Sequence, residues 1–349
     1  MNFYQKKKQL QNQSLKDKFG RSLKDLRISV IDKCNFRCPY CMPAELYGHK
    51  YKFIEKNQLL TFEEITRLVS IMVDLGVSKI RLTGGEPLLR KNIVDLVRQL
   101  RTIQGIDDFS LTTNGYLLNI TLAEKLKNAG LQRITVSLDS LDEKIFKKMN
   151  GRGFAPDKVI QGIKAVSDVG LSPIKINCVV KRGLNDNSFL EVAKFCKSNG
   201  YIARFIEFMD VGTLNKWKLD DVVSAKEIAE KINEIMPLEE INPNYSGEVA
   251  SRYRYLDGEG EIGIISSVTK PFCGECTRMR LSPEGKIITC LFSNTGFDLK
   301  GPIRDGVSDK ELRELICKIW SFREDRYSEE RALMTKPRTE KIEMHHIGG

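Results

Sequence analysis

The chain has 349 residues, with 56 Lys and Arg against 46 Asp and Glu, a formal charge of +10, and 41% hydrophobic residues. This is a globular composition with room for one large and one smaller domain, and it excludes collagenous and wholly disordered classes. At 29% charged residues, and with no apolar run near the roughly 18 residues that cross a bilayer, a membrane-embedded chain is not expected. The opening stretch, residues 1–24, reads as a basic, polar N-terminal arm. It lacks the apolar core of a secretory signal, and its Lys, Gln and Asn fit a transit peptide poorly. Nine cysteines, an odd number without a leader, point to reduced thiols or metal ligands in the cytoplasm before disulfides.

After the arm, short β-branched runs alternate with stretches of helical period. The runs are 27–31 (RISVI), 79–82 (KIRL), 109–112 (FSLT), 133–138 (RITVSL), 174–180 (IKINCVV) and 204–208 (RFIEF), six predicted strands. The first intervening helix, Thr61 to Leu75, spaces Phe62, Ile65, Leu68, Val69, Met72 and Val73 at helical period. It opens on a Thr61/Glu64 capping-box pattern and stops at Gly76. Helical patterns also cover 93–103, 122–129, 158–169 and 189–198. The repeat of about 30 residues is that of βα crossovers in a parallel sheet. Six units suit either a doubly wound sheet or a barrel of fewer than eight strands, and in both the loops after the strands share one face. Beyond about residue 212 come Glu and Asn loops, hairpin-like stretches over 251–291 and a helix over 310–321. Residues 25–211 thus read as the βα domain and 212–349 as a smaller C-terminal region.

The loops after the strands carry the unusual residues. Cys34, Cys38 and Cys41 follow the first strand in CNFRCPYC. A structural zinc normally takes four ligands and a complete four-iron cluster four cysteines, so three leave one iron free to bind something else. The competing reading is a zinc site closed by a distant ligand such as His49. After the second strand, GGEP at 84–87 offers glycines that permit close backbone approach to a ligand, and Glu86 to accept from a cationic amine. A second trio, Cys273, Cys276 and Cys290, lies in PFCGECTRMRLSPEGKIITCLF. That spacing also matches half of a zinc ribbon, while the missing fourth ligand favours a second open-iron cluster. Cys178, Cys196 and Cys317 stand alone in apolar patterns and read as core residues.

CxxxCxxC with Tyr40 before its third cysteine, joined to GGEP, resembles the radical S-adenosylmethionine enzymes. The wider set closely resembles the GTP 3′,8-cyclase family of molybdenum cofactor biosynthesis, in register from about Leu26 to Gly349. It comprises CNFRCPYCMP, RLTGGEPLLRK, TTNG, VSLDS, RFIEFMDVG, SRYRY, GIISSVTKPFCGECTRMRLSPEGK and the terminal Gly348-Gly349. The resemblance implies an α/β fold, an incomplete (βα)6 TIM-like barrel whose lateral opening the C-terminal region closes, with a [4Fe-4S] cluster at each end of one channel. It implies S-adenosylmethionine held at Tyr40, Gly84, Gly85, Glu86, Ser137 and Met209. It implies GTP held at Arg27, Lys79, Arg81, Thr112, Lys175, Arg204, Arg278 and Arg280, and guanidinium forks do match phosphate oxygens with paired hydrogen bonds. Arg27, Arg278, Arg280 and an inserted Gly348-Gly349 tail are the implied catalytic positions; His345 and His346 have no assigned role.

The implied reaction is that of a lyase. A deoxyadenosyl radical removes hydrogen from C3′ of GTP, the ribose radical attacks C8 of guanine, and an electron attributed to the second cluster reduces the resulting aminyl radical. The product, 3′,8-cyclo-7,8-dihydro-GTP, passes to a separate cyclic pyranopterin monophosphate synthase. A homodimer is implied, with no nucleic-acid or membrane partner. Two rival readings are a peptide-modifying radical S-adenosylmethionine enzyme and a basic zinc-ribbon nucleic-acid-binding protein. The first usually has a longer C-terminal cysteine array. For the second, Lys and Arg are too evenly spread.

Overall fold

The computed structural model describes residues 15–331 and 341–348. The six expected strands form as β1 (Asp25–Ser29), β2 (Lys79–Thr83), β3 (Asp108–Thr113), β4 (Arg133–Ser137), β5 (Ile174–Val180) and β6 (Ile202–Glu207). Each runs parallel to the next. Helices Phe62–Asp74, Ile93–Arg101, Ile120–Asn128, Asp157–Asp168 and Phe189–Ser198 lie in the connections, as parallel pairing requires. The capping box of the first is made: Glu64 N donates to Thr61 Oγ1 at 3.1 Å and Thr61 N to Glu64 Oε2 at 2.7 Å.

Alternation along the strands decides the architecture. Leu26, Ile28, Ile80, Leu82, Phe109, Leu111, Ile134 and Val136 are fully buried in one core with the helices. Their neighbours Arg27, Arg81, Thr112 and Ser137 leave on the other face, because successive strand side chains alternate, and these line a single cavity together with Asn177 of β5 and Arg204 of β6. A doubly wound sheet needs apolar residues on both faces. Here helices cover one face, and the polar face curls around a cavity: a partial TIM-like barrel.

The C-terminal region extends both edges of that sheet. β7 (Leu238–Ile241), β8 (Ser251–Tyr255) and β9 (Glu261–Ile265) continue antiparallel from β6, where β9 pairs parallel. β10 (Arg278–Leu281), β11 (Lys286–Ile288) and β12 (Phe297–Asp298) continue from β1, where β10 pairs parallel. One twelve-stranded sheet results, in the order β12-β11-β10-β1-β2-β3-β4-β5-β6-β9-β8-β7, and it is open, since β12 and β7 are not neighbours.

Several expectations change. Helices Glu143–Asn150 and Ala225–Ile235 form where the sequence carries no clear helical pattern. Each has a capping side chain, Asp142 or Ser224, but buries few apolar residues, Phe146 and Met149 in one, Ile228 and Ile232 in the other. So short an apolar stripe leaves little periodic signal. The described end of the N-terminal arm, residues 15–24, is not an appendage: Leu23 is fully buried, and Asp17 and Arg21 are buried as well. Cys178 and Cys196 are core residues, whereas Cys317 is half-buried against the core. Among the described residues no helix is long and apolar enough to cross a membrane.

Candidate active site

All six cysteines of the two trios line the cavity inside the curled sheet. The first trio lies on the loop after β1, and buried Arg37 organises that loop. Its Nη1 donates to the carbonyls of Cys34 and Phe36, both at 2.7 Å, and its Nε to that of Tyr47 at 2.8 Å. Cys34 Sγ accepts from Phe36 N at 3.4 Å and from Asn114 Nδ2 at 3.7 Å. Tyr40 donates its hydroxyl to Asp139 Oδ2 at 2.6 Å, and Asp139 Oδ1 accepts from Val179 N at 2.9 Å. Burial pushes the Asp139 carboxyl up to about 6 against those two hydrogen bonds.

The glycines of GGEP are needed for a close approach within the protein. Gly84 has φ +154°, and a Cβ there would lie 2.5 Å from the Ile31 carbonyl oxygen; a Cβ on Gly85 would overlap that of Lys33. The two loops are also tied by Gly85 N to Ile31 O at 2.6 Å and Glu86 N to Lys33 O at 2.8 Å. Glu86 is committed internally: Thr113 Oγ1 and Leu88 N donate to Oε1 at 2.6 and 3.0 Å, and Asn114 N to Oε2 at 2.8 Å. It thereby brackets GGEP to the end of β3. Glu86, Gly84, Gly85, Tyr40, Ser137 and Met209 nonetheless all face the cavity.

The second trio is held by the arm and by Arg323. Arg323 Nη2 donates to Cys276 Sγ at 3.1 Å, Nη1 to the Cys276 carbonyl at 2.8 Å, and Nη1 pairs with Asp17 at 3.2 Å. Asp17 also pairs with Arg21 at 2.6 Å, whose Nη1 reaches the Cys273 carbonyl at 2.8 Å. Removing one partner of a buried pair typically costs about 3–5 kcal/mol, so this network fixes the arm to the trio. Burial pushes the Cys276 thiol up, but the Arg278 and Arg323 charges outweigh it and bring it down to about 7. Among the described residues no three His, Cys, Asp or Glu side chains converge closely enough for a single metal ion.

The C-terminal segment enters beside β2. Lys341 Nζ donates to Asp210 Oδ2 at 2.8 Å, His345 is buried edge-on to Tyr47, and His346 Nε2 meets Glu284 Oε1 at 2.7 Å. Met344 lines the cavity, and Gly348, at φ +69°, packs on Thr83 so tightly that a Cβ would overlap the threonine side chain. The two histidines therefore seat the tail. Gly349 lies outside the described residues.

A second cavity adjoins the first, sharing Arg27, Arg81, Arg204 and Arg278, and adding Lys79, Arg133 and Lys175. Thr112 and Arg280 line the first cavity only. The mouth carries seven Lys and Arg against Asp25, Asp108 and Glu248, an excess of four positive charges. Burial, then Arg204 and Arg133, lower the Arg81 guanidinium to about 9; burial and Arg278 bring Arg280 to about 10. Lys79 is partly engaged, 3.3 Å from Asp108 and 3.8 Å from the Tyr245 ring centre, with its Nζ bonded to the Tyr245 hydroxyl. Such crowding of like charge is offset when an anion binds. The sequence pattern does not single out Arg133, Arg323 or Tyr245; Arg37, Asn114 and Asp139 stand inside the quoted CNFRCPYC, TTNG and VSLDS.

Two family models cover most of the chain: the radical S-adenosylmethionine superfamily over residues 28–196, and Molybdenum Cofactor Synthesis C over 201–329. Curated relatives named GTP 3′,8-cyclase include one from Acidothermus cellulolyticus, 46% identical over 97% of this chain and 99% of its own length. Others are from Staphylococcus epidermidis, 45% identical over 96% and 99%, and Staphylococcus aureus, 44% identical over 97% and 99%. Among solved structures, Streptococcus suis SuiB bound to S-adenosylmethionine aligns with a TM-score of 0.60 at 17% identity, over 85% of this chain and 69% of that one. SuiB bound to precursor peptide SuiA gives 0.60 at 18%, over 88% and 70%. At these identities the structural likeness concerns the fold.

Proposed function

The chain belongs to the GTP 3′,8-cyclase family of radical S-adenosylmethionine enzymes, and from that premise we propose how its residues divide the work. Cys34, Cys38 and Cys41 hold the four-iron cluster beside which S-adenosylmethionine binds, Cys273, Cys276 and Cys290 hold a second cluster, and the basic mouth takes the triphosphate of GTP. The observation that carries this reading is the cavity shared by both trios, adjoining a mouth with four excess positive charges, close to the charge of a nucleoside triphosphate.

The donor sets fit. Burial pushes the Cys34 thiol up to about 12 and that of Cys38 well above its usual range. Metal coordination reverses such a shift, because a bound cation stabilises thiolate. Around the second trio Arg278 and Arg323 already favour the thiolate of Cys276. When bound, the first cluster and S-adenosylmethionine supply one-electron abstraction of hydrogen from the ribose. The protein orients and encloses: the polar inner faces of β1 to β6 line the reaction space, Arg278 and Arg280 flank the second trio, and Gly348 closes the side beside Thr83. Enclosure matters because a reactive intermediate open to solvent is lost to side reactions. The proposed setting is the cytoplasm, with a homodimeric enzyme handing its product to a cyclic pyranopterin monophosphate synthase.

Anaerobic reconstitution with iron and sulfide tests the reading. About eight irons per chain, with GTP-dependent cleavage of S-adenosylmethionine, are expected; bound zinc without iron would sink it. Gly348→Ala is expected to unseat the tail while leaving the iron content intact, lowering cyclised product; unchanged product would remove the tail from the mechanism.

Lys175 gives a pH prediction. Burial, then Arg204 and Arg133, lower its ammonium to about 8, with Arg81 adding to the effect and Glu248 opposing it. A bound triphosphate favours the charged form, so above about pH 8 binding must take up a proton. GTP affinity is therefore expected to fall as pH rises from about 8 towards the ordinary lysine range, by at most about tenfold per unit. Lys175→Met should remove the part of the fall that begins near pH 8 and leave any later fall from Arg81; a wild-type affinity independent of pH between about 8 and 9 would exclude Lys175 from the phosphate site.

A further inference from the structure

Arg133 opens β4 at the mouth of the channel. The register runs Arg280, Arg27, Arg81, Ser110, Arg133 across β10, β1, β2, β3 and β4. Registered residues of parallel strands leave the sheet on one face, so Arg133 points inward with Arg27 and Arg81. It is 9% exposed and lines the mouth cavity.

Asp108 holds the guanidinium by two of its nitrogens, Nε at 2.6 Å from Oδ1 and Nη2 at 2.7 Å from Oδ2. The third, Nη1, is buried and has no hydrogen-bond partner, as is Nη1 of Arg278 and of Arg280 farther along the wall. A buried donor left unpaired is costly and calls for a partner. An ion pair serving stability alone would also be poorly placed here. Arg133 adds like charge beside Arg81, Lys175 and Arg204, and it lowers the proton affinity of each. Repulsion of that kind is relieved by an anion in the mouth.

Position narrows which part of the anion. Arg27, Arg81, Arg204 and Arg278 border both cavities, whereas Arg133, Lys79 and Lys175 border only the mouth. With the reacting ribose and base in the cavity of the cysteine trios, the mouth-only residues meet the end of the phosphate chain remote from the sugar. We propose that Arg133 contacts the terminal phosphate of the nucleoside triphosphate through Nη1, and that Asp108 is the positioning residue that fixes the guanidinium plane. This rests on the reading of GTP as substrate given above. A fork held on one edge by a carboxylate presents its remaining edge in a fixed direction, which a lysine cannot do.

Equilibrium binding of GTP, GDP and GMP to the anaerobically reconstituted enzyme tests it, alongside KM and kcat for GTP. Arg133→Gln is expected to weaken GTP about tenfold, the scale of one charge-assisted hydrogen bond, with GDP and GMP affinities unchanged. KM should rise and kcat at saturating GTP stay within about twofold. Arg133→Lys keeps the pair with Asp108 but not the Nη1 donor, and is expected to lose the same GTP-over-GDP preference; it carries the test should the glutamine variant not fold. Asp108→Asn should give a smaller loss of that preference. If the wild type prefers GTP over GDP and the Arg133 variants keep the whole preference, the assignment of Arg133 is overturned while the GTP reading stands. If the wild type binds GTP no better than GMP, the reading of the mouth itself has failed.

Discussion

Cys34→Ala is expected to reduce cleavage of S-adenosylmethionine to background and to lower bound iron from about eight to about four per chain. The side chain lies at the edge of the core, and although Phe36 N and Asn114 Nδ2 lose the sulfur as acceptor, the loop has other ties. Arg37 still ties the loop through backbone carbonyls, and Asn114 still donates to Asn35 Oδ1 at 2.7 Å. The fold and the second trio should therefore survive. Retention of four irons separates loss of one cluster from general unfolding, and thermal melting of the unreconstituted protein supplies the control. Cleavage at wild-type rates in Cys34→Ala would refute the assignment of the first trio.

Replacing Arg278 and Arg280 together by alanine is expected to lower cyclised product by about 10²–10³-fold, the scale seen when a preorganised donor is removed from a reacting site. Cleavage of S-adenosylmethionine uncoupled from product should persist, because the first trio and the GGEP loop are untouched. Arg280 is 4% exposed, and the Arg280 and Arg278 guanidinium groups repel each other. Removing both relieves that repulsion, so a large loss of stability is not expected. Arg278 also favours the thiolate of Cys276, and iron content should be measured in the same samples. Unchanged product with both clusters present would refute the substrate role.

Much of the fold is legible locally. Phe189–Ser198 forms with its expected ends and Thr61–Glu64 forms its capping box, because each depends on neighbours within a few residues. The βα repeat left barrel and doubly wound sheet open; the signal that bears on the choice is the alternation of KIRL and RITVSL, where every second residue is polar. Parallel strands covered by helices on both faces would not alternate. The helix Ala225–Ile235 was illegible for the opposite reason, since two buried isoleucines among charged residues make a weak period.

Within the site, cysteine spacing marked both trios, and GGEP marked its loop, but the work done by its glycines emerged only in three dimensions. They let the loop lie against Ile31 and Lys33, and Glu86 is spent on Thr113, Leu88 and Asn114. The arm and the tail show the same limit. Arg21 meets the Cys273 carbonyl across 252 positions of sequence, and Gly348 packs on Thr83 from the far end of the chain.

The sequence by itself determined the βα repeat, the two cysteine trios and the supply of basic residues, because periodicity and residue spacing are properties of short segments. One shared channel was already implied by the resemblance; only the tertiary structure decided that seven basic side chains gather at the cavity's mouth, and that Arg133 joins them with one nitrogen unpaired. These follow from parallel register and from the curl of the sheet. Those features set residues far apart in the chain side by side, and no local pattern encodes their mutual distances.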